Sequence, residues 1–248
     1  MKQKVWAGAA ILWVLAVWET ISKGGIINPA LFPPPSEVAS ALWQLLHEGL
    51  LNDVVVSVSR MGSGLLLGSV LGILIGILTG RVQFVRLTLL PLLQILRPLP
   101  PVAIIPLVIV WFGIGDSAKI FSIAFAVFFP VWINTDIGVN QVPKMYLWSA
   151  SLFGASWWKT LRSVIFPASL PYIIAGIRNG IAIAFVMIFV SELAGASEGL
   201  GYRISISNLS YRIDQMIAAL LVLAALGALT DQLFVRIIHR LNPWLRLT

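Results

Sequence analysis

The chain of 248 residues is 58% hydrophobic and 11% charged, where ordinary globular chains sit at roughly 45–50% and 25%. That balance excludes a soluble core and predicts one integral membrane domain over residues 1–248, with loops too short for a second, soluble domain. The net charge of +7 follows from Lys and Arg gathered in cytoplasm-facing loops and does not require nucleic acid, and the absence of cysteine excludes disulfides and thiolate metal sites.

Behind Lys2 and Lys4, the run from Val5 to about Ile21 is apolar but for Glu19. It begins as a signal peptide does, yet offers no convincing small-residue cleavage site before Lys23, and it reads as the first span. Pro33, Pro34 and Pro35 force an extended segment. Ser36 is expected to cap a helix running to about His47, with Glu37 in its first turn. Leu42, Leu45 and Leu46 share a face, which predicts a helix lying in the membrane interface.

Val54 to Gly80 is the second span. Gly64, Gly68, Gly72, Gly76 and Gly80 recur every fourth residue, a stripe of about 24 Å along one helix face. Such a stripe lets another backbone approach closely and reads as a packing device. Arg60 near the outer end is expected to snorkel. The third span, about Leu87 to Phe112, contains Pro91, Pro98, Pro100, Pro101 and Pro106 and cannot be one straight helix. A break at membrane depth has to line a cavity or be buried in protein. Arg97 stands just before it, so Arg97, Pro98, Pro100 and Pro101 are candidates for a translocation path or gate.

Trp111 to Asp116 is an outer turn, and Lys119 to about Val139 the fourth span. It ends in Asn134-Thr135-Asp136-Ile137-Gly138, whose polar groups either satisfy one another or serve in gating, so Asn134 and Asp136 join the candidates. Trp148 to Pro171 carries Lys159 and Arg162, a hinge at Gly154, and Pro167 and Pro171. It predicts a short helix, a turn, a second short helix and a proline-marked return into the fifth span, about Tyr172 to Ala196. Glu192 in that span is either a path residue or the partner of an arginine such as Arg60 or Arg203. Arg203 to Asp214 is read as an outer loop and Gln215 to about Ile238 as the sixth span.

With six spans and the N-terminus inside, Lys2, Lys4, Arg81, Arg86, Lys144, Lys159, Arg162, Arg236, Arg240 and Arg246 face the cytoplasm, and only Lys23, Lys119, Arg203 and Arg212 face outward. This asymmetry fits the positive-inside rule and puts both termini and the Gly154 loop in the cytoplasm. No phosphate-binding G-x-x-x-x-G-K-[ST] run, H-E-x-x-H or G-x-S-x-G motif occurs, and no catalytic constellation is visible.

The Gly154 loop resembles the cytoplasmic loop of ABC-importer permeases, whose signature is Glu-Ala-Ala, three residues, Gly, nine residues, Ile-x-Leu-Pro. Here Trp148-Ser149-Ala150 is followed by Ser151, Leu152 and Phe153, then Gly154, nine residues from Ala155, and Val164-Ile165-Phe166-Pro167. Trp148 replaces the glutamate. Leu96 to Asp116, LRPLPPVAIIPLVIVWFGIGD, resembles the alkanesulfonate, taurine and nitrate branch, as does the Asn134–Gly138 run, and the Ser191–Tyr202 segment resembles the permease family's closing signature for the fifth span. The resemblance implies an all-α, polytopic protein of about six transmembrane helices in the type I ABC importer fold, set in a bacterial inner membrane. It implies that residues 144–170 form a coupling loop, with Trp148, Ser149, Ala150, Leu152, Phe153, Gly154, Ala155, Val164 and Pro167 facing an ATPase subunit. Two copies of the chain would form the path and two ATPase subunits would carry ATP and Mg, leaving this chain no cofactor and no enzyme activity. A periplasmic or lipid-anchored binding protein would deliver a small anionic solute, a sulfonate, taurine or nitrate, to Pro33–Asn52 and Gly199–Asp214. A pyrimidine vitamin precursor is the alternative solute. Outside the resemblance, a stand-alone secondary transporter or channel would want more deep charges or an inverted repeat, and a membrane scaffold would not need the broken third span.

Overall fold

A computed structural model describes residues 2–24, 28 and 30–242, and all regular structure among them is helical. Arg246, counted above on the cytoplasmic side, lies outside the described residues. The chain opens with α1 (Lys2–Lys23) and α2 (Pro35–His47), followed by the long α3 (Leu50–Arg81). A broken pair comes next, α4 (Gln83–Leu96) and α5 (Ile105–Phe112), joined through a 3-10 turn at Pro101–Ile104. Then come α6 (Asp116–Asn140), α7 (Lys144–Leu152), α8 (Trp157–Thr160), a π-helical turn at Leu161–Ile165, α9 (Phe166–Leu193), α10 (Leu200–Leu209) and α11 (Ile213–Leu241).

Four stretches are long and apolar enough to cross a membrane: α3, α6, the continuous run Trp157–Leu193, and α11. The pair α4 and α5, bent by 88°, makes a fifth if it is one span. α1, 22 residues long with Ile11, Leu12, Trp13 and Val14 turned outward, stands where the first of six was predicted.

The centre is a three-helix stack of α3, α6 and α9. The glycine stripe is what makes α3 fit. A Cβ on Gly64 would strike Ile123, on Gly72 the Phe128 carbonyl and Val131, on Gly76 Thr135, and on Gly80 Val139. The two backbones are therefore in near contact over the full stripe. Met61, Ile123, Val127, Val131, Ala184, Met187 and Ile188 fill the rest of this core. A second cluster joins α2, α10 and α11 through Val38, Leu45, Leu200, Ile204, Ala218 and Ala219.

Three expectations change here. α2 buries Val38, Ala41 and Leu45 against protein, while Leu46 stays exposed, so its working face is rotated from the Leu42–Leu45–Leu46 face. Its N-cap is Pro34 and not Ser36. The Ser36 N–H and Oγ both donate to Glu19 of α1, at 3.1 and 2.8 Å. Glu19 thus supplies the negative group that the first turn of α2 wants, from a neighbouring helix. The Arg203–Asp214 stretch, predicted as loop, is largely the helix α10, because Leu200, Ile204 and Ser207 fall on one buried face.

Proline decides the shape of the third span as foreseen. Pro98 and Pro100 lie in the break, Pro101 opens the 3-10 turn, and Pro106 sits in the first turn of α5, where a missing N–H costs least. Arg97, Pro98 and Pro100 are exposed in this chain. The chain's own helices therefore do not supply the shielding that a break at membrane depth requires.

Candidate functional site: an exposed hairpin and a buried charge cluster

At one end of the stack α7 and α8 form a hairpin. α7 ends in a two-bond cap: the Gly154 N–H donates to the Ser151 carbonyl and the Ala155 N–H to the Ala150 carbonyl, both at 3.0 Å. Gly154 holds φ +66° there, the left-handed turn for which glycine is suited. Closing this turn explains the spacing of Ala150, Gly154 and Ala155. Ser156 then caps α8 by accepting the Lys159 N–H.

The second short helix and the fifth span, expected as separate elements joined at a proline-marked return, are continuous. Residues 157–193 run on as one helical rod, with Pro167 in the first turn of α9 and Pro171 inside it. A proline ring presses on the carbonyl four residues back, and the widened π turn at Leu161–Ile165 gives that carbonyl room. Val164 and Ile165 pack with Val139, Val142, Leu147 and Leu161 to anchor the hairpin base. The tip is bare. Leu152 is 86% and Phe153 89% exposed, and Trp148, Trp157 and Trp158 are exposed beside them. Tyr146, Ser149, Ala150, Phe153, Val164 and Pro167 line a groove between the two arms. A bare apolar tip beside a largely apolar groove has the character of a contact surface.

The opposite end holds a cluster of charges. Asp53, Ser57 and Arg60 follow one face of α3. Arg60 is only 4% exposed and does not snorkel. Its Nε donates to Asp116 at 2.7 Å, and its Nη1 to Glu192 at 3.1 Å and to the Glu198 carbonyl at 2.9 Å. Glu192, 1% exposed, also accepts from Ser57 Oγ and from the Gly201 N–H, each at 2.8 Å. Asp53 accepts from the Gly199 N–H and from Arg203 Nε, both at 2.8 Å. The first N–H groups of α10 are therefore satisfied by side chains of α3 and α9. Lys119, counted with the outer segments, lies at this end of the stack and is buried, with Nζ donating to the Ile114 carbonyl at 2.8 Å.

The predicted path residues are not assembled into one site. Asp136 accepts from Thr79 at 2.8 Å, whereas Glu192 meets α3 at Arg60, about 28 Å away along that helix. Asn134 donates to the Pro130 carbonyl at 2.8 Å, and the Thr135 hydroxyl is buried without a partner, so the Asn134–Gly138 run does not satisfy itself. The arginine paired with Glu192 is Arg60, while Arg203 goes to Asp53. Arg178 and Asp231 form an ion pair through two hydrogen bonds, 2.8 and 2.9 Å, between α9 and α11. Asp231 was missed by sequence reasoning, although a lone carboxylate in an apolar run is signal enough.

The family model described as "Binding-protein-dependent transport system inner membrane component" matches residues 68–246. A putative aliphatic sulfonates transport permease protein, SsuC, of Bacillus subtilis (strain 168) is 36% identical, covering 92% of this chain and 82% of its own length. The taurine transport system permease protein TauC of Escherichia coli (strain K12) is 32% identical, covering 93% and 86%. Among solved structures, a chain of the inward-facing MetNI methionine ABC transporter superposes with a TM-score of 0.67 at 19% identity, over 79% of this chain and 97% of that one, a likeness of fold. With the family model matched over residues 68–246 and both relatives above 30% identity over more than four fifths of their length, the chain belongs to the family of binding-protein-dependent transport system inner membrane components.

Proposed function

We propose that the chain works as a pair of copies in an ATP-driven importer for a small anionic solute, an aliphatic sulfonate or a related compound such as taurine. One observation carries this reading: the stack ends in a bare apolar hairpin, closed by Gly154, that continues without interruption into α9. A rod transmits displacement along its axis. Movement of Leu152, Phe153 and Trp148 by a docked ATPase therefore reaches the far end of α9, where Glu192 ties to α3. In this reading the hairpin faces the cytoplasm, ATP and Mg belong to the ATPase subunits, and a binding protein delivers solute at the α2 and α10 end. The named relatives, a putative aliphatic sulfonate permease and a taurine permease, support the solute class. Arg60 is spent on carboxylates and cannot also read the solute. Arg97 is exposed at the break, and its side chain has no hydrogen-bond partner among the described residues.

The test is a mild-detergent pull-down of the tagged chain from its native membrane. A nucleotide-binding subunit in near equal amount is expected. Its absence, even after crosslinking through Ser156→Cys, would sink the reading. A second expectation concerns the turn. Gly154→Pro forces φ to about −65° where the hairpin needs a positive angle, a conflict on the order of 3 kcal/mol confined to the loop. Uptake should fall to background with unchanged amounts of the subunit in the membrane. Uptake at the unaltered rate would show that the hairpin does not couple.

A further inference from the structure

The Arg178–Asp231 pair is held by two short hydrogen bonds, yet its side chains are 45% and 36% exposed. At 1.5 Å per residue, Arg178 lies about 22 Å from the Leu193 end of α9 and Asp231 about 27 Å from the Ile213 end of α11. Both therefore lie toward the hairpin end of helices that run on beyond them and are long and apolar enough to span, Trp157–Leu193 and Ile213–Leu241. Hydrocarbon is the one surrounding that such a pair does not tolerate, since an exposed charge there costs several kcal/mol. Asn179 and Gln232, next to the pair in sequence, are also exposed, and Gln232 accepts from Arg236 Nη2 at 3.4 Å, so polar side chains gather at this end of the helix pair. Farther along, Phe185, Phe189, Leu220, Leu223 and Gly227 line an apolar groove between the same two helices.

We propose that this face of α9 and α11 is a wall of the aqueous translocation path, and that Arg178 is the residue that meets the solute's anionic group. Asp231 orients the guanidinium fork and occupies it between passages. An incoming sulfonate offers oxygens at the spacing the fork is built for and exchanges with the carboxylate. The exchange swaps one anion for another on Arg178, and the displaced Asp231 carboxylate is hydrated by the water of the path until the solute leaves. Its place on α9 also ties it to the hairpin, since both lie on the Trp157–Leu193 rod. The assignment of Arg178 rests on the anionic solute proposed above; the assignment of the wall does not.

The chain has no cysteine, so single-cysteine labelling has no background. In membranes carrying the assembled transporter, the probe is the sulfonate-bearing reagent 2-sulfonatoethyl methanethiosulfonate. Ala182→Cys, exposed one turn beyond Arg178, should react, and Leu229→Cys, exposed at similar depth on another side of α11, should not. Equal reaction at the two sites, or none at either with and without ATP, overturns the wall; the second result would mark a face between copies. In the same membranes Arg178→Lys and Arg178→Gln should raise the KM for sulfonate uptake by about tenfold or more, the loss of one charge-assisted fork. An unchanged KM in Arg178→Gln overturns its contact with solute. Should the unaltered transporter carry a neutral solute and no anion, the proposed solute class and the Arg178 contact fall together, while labelling still judges the wall.

Discussion

Arg60→Ala is expected to cost about 3–5 kcal/mol, the range seen when one partner of a buried ion pair is removed. Total stabilities of folded domains are only about 5–15 kcal/mol, so the variant should accumulate poorly and melt far below the unaltered protein in detergent. The size follows from what is left behind. Glu192 would keep Ser57 and the Gly201 N–H but lose its only cationic partner among the described residues while fully buried. Asp116 and the Glu198 carbonyl would lose the guanidinium that ties the start of α6 and the α9–α10 turn to α3. The double variant Arg60→Gln with Glu192→Gln should melt above Arg60→Ala, because no uncompensated charge remains. Melting curves by size-exclusion chromatography decide it. An Arg60→Ala curve coincident with the unaltered one would mean that the cluster is ornamental to stability.

How far the sequence leads depends on the range of the interaction. The glycine stripe was legible because five glycines at a constant spacing of four define a helix face by themselves, and the face found its neighbour, α6, along its whole length. The hairpin was legible because its cap is closed within five residues, between Ala150 and Ala155. Glu192 could be assigned a set of partners but not a single one, since Arg60 lies 132 positions away and nothing local prefers it over Arg203. α10 was missed for a related reason. Its helical face shows only against α2 and α11, and its N-terminal N–H groups are capped by Asp53, Ser57 and Glu192 from elsewhere in the chain. The π turn escaped because Pro167 ordinarily signals a boundary, and only the tertiary anchor at Ile165 makes a widened helix preferable to an end. Arg97 and its prolines were read correctly as a break, but nothing among the described residues covers it.

Gly68→Val tests the stack itself. A Cβ at Gly68 would lie 2.5 Å from the Ala124 carbonyl oxygen and 2.9 Å from the Val127 Cβ. The first of these is backbone, so no rotamer change relieves it, and α3 and α6 have to part. Parting two helices that meet along the stripe also loosens Met61, Ile123 and Val127 in the central core. Overpacking of this kind typically costs about 1–3 kcal/mol, and the two γ-methyl groups that valine adds beyond the clashing Cβ place this case at the upper end. Gly62 provides the control within the same helix: a Cβ there meets nothing within 4 Å. Gly62→Val carries the same change in helix propensity and in apolar area, without the clash, and should stay within about 0.5 kcal/mol of the unaltered protein. The expected pattern is a large fall in melting temperature and loss of uptake for Gly68→Val, with both retained for Gly62→Val. If the two variants behaved alike, the loss would come from glycine's flexibility and not from close approach. The stripe would then be a bending device, and the contact between α3 and α6 could not be what holds the stack together.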